Sequence, residues 1–181
     1  MNRFHKYALG GAALVAAVLG APGSASALTT VYNPGQNGQY CVTANAYVGG
    51  ATADGHYLNV VGYASASEWN NGGCDGAPAP ENSVVMQASI WYAPPDGSRP
   101  FAVYSFPDNG AAWQYNTLDV WGVYLATLDN QSPLSGVNVA DANFYGSGYY
   151  SLGVTAYVNT GNGWQGGTTY SPWQYASFKT P

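Results

Sequence analysis

Apolar and polar side chains alternate along three stretches of the chain. In 39–48, Tyr40, Val42, Ala44, Ala46 and Val48 fall on one side, with Cys41, Thr43, Asn45 and Tyr47 on the other. In 57–66, Leu58, Val60, Ala64 and Ala66 oppose Tyr57, Asn59, Val61, Tyr63 and Ser65. In 149–158, Tyr150, Leu152, Val154, Ala156 and Val158 oppose Tyr149, Ser151, Gly153, Thr155 and Tyr157. A period of two over eight to ten residues is the mark of a half-buried strand, because successive side chains of extended backbone point to opposite faces. The small aliphatic sides are the predicted core faces, which leaves most of the tyrosines on the other.

Turn chemistry separates such runs at short, regular intervals. Asn33-Pro34-Gly35, Asn70-Asn71-Gly72-Gly73, Pro94-Pro95-Asp96-Gly97 and Asn159 to Gly163 each supply a fixed proline φ or a residue that tolerates positive φ. The Pro95-Asp96-Gly97 turn joins 83–93 to 100–106 as a predicted hairpin. Segment 117–129 is ambiguous. Leu118, Trp121, Leu125 and Leu128 have near-helical spacing, but Val120, Val123 and Tyr124 around Gly122 favour a strand, which is the expectation taken. Ala77-Pro78-Ala79-Pro80 is expected to be a stiff connector, too short to divide domains. Together these signals predict an all-β chain: a single antiparallel β-sandwich, jelly-roll or immunoglobulin-like.

The amino terminus does not belong to that pattern. Arg3 and Lys6 precede an apolar run to Leu19 and then Ala25-Ser26-Ala27, the layout of a secretory signal peptide with an A-x-A cleavage site. Residues 1–27 are therefore predicted as a leader and 28–181 as the domain. Without the leader only Arg99 and Lys179 remain against nine acids, a net charge of −7. Two bases cannot build a phosphate-binding patch, so neither nucleic acid nor an anionic membrane is an expected partner. In an oxidising compartment Cys41 and Cys74, the only cysteines, are expected to pair.

Catalytic chemistry has few residues to draw on. His56 is the one histidine after the leader, set in the turn Asp54-Gly55-His56, and no G-x-S-x-G occurs. A His-rich metal site cannot be assembled, and no metal or cofactor is expected. A glycoside hydrolase needs two carboxyl groups flanking the scissile bond. Glu68 and Glu81 are the only glutamates, and both lie close in sequence to Cys74 rather than on clear strands.

What stands out is the aromatic surplus: 16 Tyr and 6 Trp. Tyr57 and Tyr63, and Tyr149 and Tyr157, share predicted outer faces, the second pair roughly 26 Å apart at ~3.3 Å per residue. Trp164 lies in the glycine-rich run 161–167, and Trp69 precedes Asn70-Asn71-Gly72-Gly73. Exposed rings beside amide side chains can stack on a sugar or anchor a protein. Tyrosine is also simply a good strand residue, and cross-strand aromatic pairs stabilise sheets. The leading expectation is a secreted, non-catalytic binding module for polysaccharide or an extracellular protein. Its candidate residues are Trp164, Trp69, Tyr149, Tyr157, Tyr57 and Tyr63. The alternatives are an enzyme inhibitor presenting the loop 72–80, a structural or surface-coat protein, and a small jelly-roll glycoside hydrolase.

Overall fold

The period-two runs fold as strands, and the aliphatic side of each faces inward. A computed structural model describes residues 27–106, 113–118, 124–128, 138–140 and 145–179. The predicted leader falls outside them except for Ala27. The described residues contain twelve strands: β1 (Ala27–Tyr32), β2 (Tyr40–Ala51), β3 (Leu58–Glu68), β4 (Val84–Ala93), β5 (Phe101–Phe106), β6 (Gln114–Tyr115), β7 (Thr117–Leu118), β8 (Tyr124–Thr127), β9 (Asn138–Ala140), β10 (Gly148–Asn159), β11 (Trp164–Tyr170) and β12 (Gln174–Ala176).

They form two six-stranded sheets. The first runs β1-β2-β3-β8-β7, with β9 also on β3; the second runs β11-β10-β4-β5, with β12 on β10 and β6 on β4. Every pairing is antiparallel. The sheets pack face to face over one core, to which β2 and β3 contribute Val42, Ala44, Val48, Leu58 and Val60, and β4 and β10 contribute Met86, Ile90, Leu152, Val154 and Val158. The chain is thus an antiparallel β-sandwich, as the alternation predicts.

The predicted hairpin is β4–β5, in register from Ala88↔Phe106 to Tyr92↔Phe101 with an irregularity at Ile90/Trp91. Of segment 117–129, the described residues 117–118 and 124–127 are the strands β7 and β8, which pair with each other in line with the strand expectation. Residues 119–123 and 129 lie outside the described residues. The connector 77–80 is more than a spacer. Ala79 N–H donates to the Ala66 carbonyl at 2.9 Å, Glu68 N–H to the Ala77 carbonyl at 2.9 Å, and Ala79 is buried. It lies along β3 like a short extra strand, covering an edge that β8 and β9 cover farther along.

One buried polar residue ties the sheets' connections together. The Asn116 side chain accepts from Val84 N–H and donates to the Pro80 carbonyl, both at 2.9 Å. Its own N–H donates to the Val84 carbonyl at 2.9 Å. Asn116→Ala would strand the Val84 N–H in a buried site, which costs about 2 kcal/mol. We expect the urea midpoint to fall accordingly with an unchanged m-value. A midpoint within error of the parent would show that water replaces the amide without penalty.

Candidate functional site: the outer face of the second sheet

Cross-strand register brings residues distant in sequence into rows on the outer face of the second sheet. Tyr149 sits between Ala93 and Tyr175; next come Ser151 and Trp91; then Tyr170, Gly153 and Ser89; then Thr168, Thr155 and Gln87; then Gly166, Tyr157 and Val85; finally Trp164 and Asn159. The span from the first row to the last is ten residues of β10, roughly 33 Å. None of the strands of this sheet carries an Asp, Glu, Lys or Arg.

The centre of the face is a hollow of about 110 Å³, bordered by Trp91 and Tyr170. Gly153 makes it possible. A Cβ at this position would lie 2.7 Å from Cε1 of Tyr170 and 3.5 Å from Nε1 of Trp91, so the tyrosine ring rests on bare backbone. Hydroxyls line the floor beside it. Thr155 Oγ1 and Thr168 Oγ1 are 2.8 Å apart, and Ser89 Oγ and Ser105 Oγ are 3.4 Å apart. Gln87 completes the lining.

The rings are held by their surroundings. Ser151 is buried and donates to the Ser171 carbonyl at 2.8 Å, while Leu152 N–H donates to Ser171 Oγ at 2.9 Å. This clamp fixes the corner where the edge passes from β11 to β12, and with it the backbone that follows Tyr170. Tyr149 packs edge-on against Tyr175 at 5.3 Å, and Trp113 edge-on against Tyr157 at 5.4 Å. Tyr170 is nevertheless 59% exposed, Tyr149 49% and Trp164 44%. A neutral face of anchored but exposed rings over hydroxyls and an amide can stack on apolar faces of a ligand and hydrogen-bond its rim.

Of the six residues singled out in the sequence, this face collects Tyr149, Tyr157 and Trp164. Trp164 is the first residue of β11, paired with Asn159, and not a loop residue as the glycine-rich run implied. The other three lie elsewhere. Tyr57 is exposed at the entry to β3 and ties its N–H to Thr52 Oγ1 at 3.1 Å. Trp69 is half-buried, its backbone bonded to Gln39 at 2.7 Å and Gly38 at 3.0 Å. Tyr63 corrects an expectation: it has the parity of an outer residue, yet it is only 7% exposed. Trp91 and Tyr170, which border the hollow, were not among the six. The Cys41–Cys74 disulfide is formed.

Burial pushes the Tyr63 hydroxyl up to about 12, and that hydroxyl has no hydrogen-bond partner among the described residues. The folded form therefore holds the proton more tightly than the unfolded chain, whose tyrosines ionise near pH 10. The resulting stability is complete below pH ~10 and is lost as pH rises through about 12. Tyr63→Phe removes this loss while changing stability at pH 8 by less than about 1 kcal/mol. Urea midpoints at pH 8 and pH 11 should converge for the variant relative to the parent. Equal losses in both proteins would refute the assignment.

His56 sits in a tight turn. The Asp54 carboxylate accepts from the Thr52 hydroxyl and from His56 N–H, and these bonds hold it below the usual carboxylate range. That is Asx-turn architecture. Among the described residues no cluster of three or more His, Cys, Asp or Glu is placed to hold a metal. No described helix is long and apolar enough to cross a membrane. No protein-family model, curated protein or solved structure matches the chain.

Proposed function

We propose that this protein is a secreted, non-catalytic binding module that holds a neutral polysaccharide on the outer face of its second sheet. The observation that carries this reading is the hollow at Gly153: two rings flank bare backbone above hydroxyls and an amide, on a sheet without a charged residue. Sugar rings present apolar C–H faces and a hydroxyl rim, which fits that lining. A charged glycan or a basic or acidic peptide finds no counter-charge on those strands. The leader-like amino terminus and the disulfide support secretion.

The arrangement favours this reading over its rivals. Glu68 ends β3 in the other sheet, and Glu81 precedes β4, so neither carboxylate belongs to the strands of the aromatic face. An inhibitory loop has to stand clear of its scaffold, whereas 72–80 is bonded back onto β3 through Gly76, Ala77 and Ala79.

Retention on insoluble cellulose, chitin, xylan and mannan tests the proposal directly. Binding to at least one is expected, unchanged between 0.1 and 1 M NaCl because no ion pair is involved, and released by soluble oligosaccharide of the same kind. Failure on all four, with a blank array of neutral glycans, would sink it.

A further inference from the structure

We propose a second saccharide site, at the mouth of the sandwich where β1 and β2 face the β10–β11 hairpin, taking one or two units of a neutral sugar. This inference goes beyond the sheet-face site and stands on different residues. A cleft of about 430 Å³ opens there, lined by Tyr32, Gln39, Tyr40, Thr160, Asn162 and Gln165. That lies in the range of ligand pockets, roughly 300–1,000 Å³. The lining contains no charged side chain.

The register explains how the cleft forms. Tyr32 pairs with Val42 after an irregularity between Thr30 and Tyr32, and Tyr40 lies two residues before Val42 on the same inward side. Bulges re-aim side chains in this way next to ligand sites. Across the gap Gln165 pairs with Val158, whose side chain belongs to the core. The cleft is therefore the end of the space between the sheets, beyond the last core residues. Tyr32 and Tyr40 are partly buried and pack on that core, which fixes their rings without covering them.

Both walls are braced by hydrogen bonds. On the hairpin side, Thr160 Oγ1 donates to the Gly163 carbonyl at 3.0 Å, and Gly161 N–H to Asn159 Oδ1 at 3.0 Å. On the other side, Gly35 N–H donates to Asn33 Oδ1 at 2.8 Å, Gly38 N–H to the Trp69 carbonyl at 3.0 Å, and Asn71 N–H to Asn37 Oδ1 at 3.1 Å. Ordered walls reduce the entropy a ligand must offset. The carboxamides of Asn162 and Gln165 make no hydrogen bond to another described residue, and Gln39 Nε2 is engaged with Gln36 at 3.0 Å. Two amides, each donor and acceptor, thus face two fixed tyrosine rings. Paired donors and acceptors beside an aromatic wall match vicinal hydroxyls on a pyranose better than they match an ion or an apolar chain.

Side-chain amide signals in 1H–15N spectra test the site, with cellotriose, maltotriose and N,N′-diacetylchitobiose as probes. At least one sugar should shift the Gln39, Asn162 and Gln165 signals saturably. Those shifts should persist in a Trp91→Ala/Tyr170→Ala variant, which disables only the sheet face, and Gln165→Ala should weaken the affinity read from the Gln39 and Asn162 signals about five-fold. In the parent, saturable shifts of these amides with the Trp91 indole N–H signal unmoved would leave this site standing and remove the other. The proposal is overturned if none of the three probes moves these signals, or if the shifts vanish in the sheet-face variant.

Discussion

Gly153→Val should fold like the parent and lose polysaccharide retention. The two halves of that expectation have separate causes. Gly153 pairs on both sides in the middle of the second sheet, with Ser89 and Tyr170, and it does not need a positive φ. A β-branched residue suits such a position, and replacing glycine there restricts the unfolded chain, a gain of about 0.4–1 kcal/mol. The obstacle to a side chain is the Tyr170 ring, 2.7 Å away at Cε1, and that ring is exposed, so it can turn outward about its side-chain bonds while the Ser151–Ser171 clamp keeps the backbone in place. The fold therefore yields cheaply, and what is lost is the site: the hollow fills and one wall turns away. Removing a central aromatic anchor typically costs about 2 kcal/mol or more of binding, roughly a 30-fold loss. Trp91→Ala/Tyr170→Ala should lose as much by deleting the rings themselves. Gly166 is the contrasting case. A Cβ there would run into the Ala156 carbonyl, backbone that cannot swing aside, so Gly166→Val tests folding and not binding. Parental retention by a folded Gly153→Val protein would show that the hollow is not where the ligand sits.

Much of this architecture can be read from periodicity, and the limit of that method is visible in two tyrosines. Tyr63 and Tyr149 have the same parity, each opposite an aliphatic face, yet one is buried and the other half exposed. Alternation assigns a side chain to a face of its own strand. What lies over that face is a matter of distant chain, and local pattern carries no information about it. The same limit hid the site. Trp91 belongs to β4 and Tyr170 to β11, and only their common neighbour Gly153 on β10 brings them together. A signal was present all the same. Gly153 interrupts an outer row of Tyr, Ser, Thr and Tyr on β10, and a glycine inside a strand often marks the close approach of another group. The core faces were easier, because Ala, Val and Leu on one side of a period-two run leave little choice. Ala79 was harder: a residue between two prolines reads as loop, while its burial and its bond to Ala66 depend on β3 passing alongside.

Loss of the Cys41–Cys74 bond should have the largest effect on stability, with a recognisable spatial signature. The bond closes a loop of 33 residues that contains the β2–β3 hairpin and its turn. In the chain-entropy account, a loop of that length restricts the unfolded ensemble by about 3.7 kcal/mol. Against a total stability of ~5–15 kcal/mol that is a large share, and at ~2–4 °C per kcal/mol the melting temperature of Cys41→Ala/Cys74→Ala should fall by about 7–15 °C. The native-state consequence is local. Cys74 anchors the segment that bonds back to β3, and Trp69 and Asn71 in turn hold Gly38 and Asn37 beside the mouth of the sandwich. Without the cross-link, amide exchange should quicken first in 33–39 and 69–80. The β4–β10 register, which runs unbroken from Tyr149↔Ala93 to Val158↔Val84 at the centre of the second sheet, should keep its protection. The same variant should therefore weaken sugar binding at the mouth and leave binding on the aromatic face intact. Uniformly faster exchange would instead mean that the bond supports the whole sandwich, and an unchanged melting temperature would mean that the hairpin is already closed in the unfolded chain.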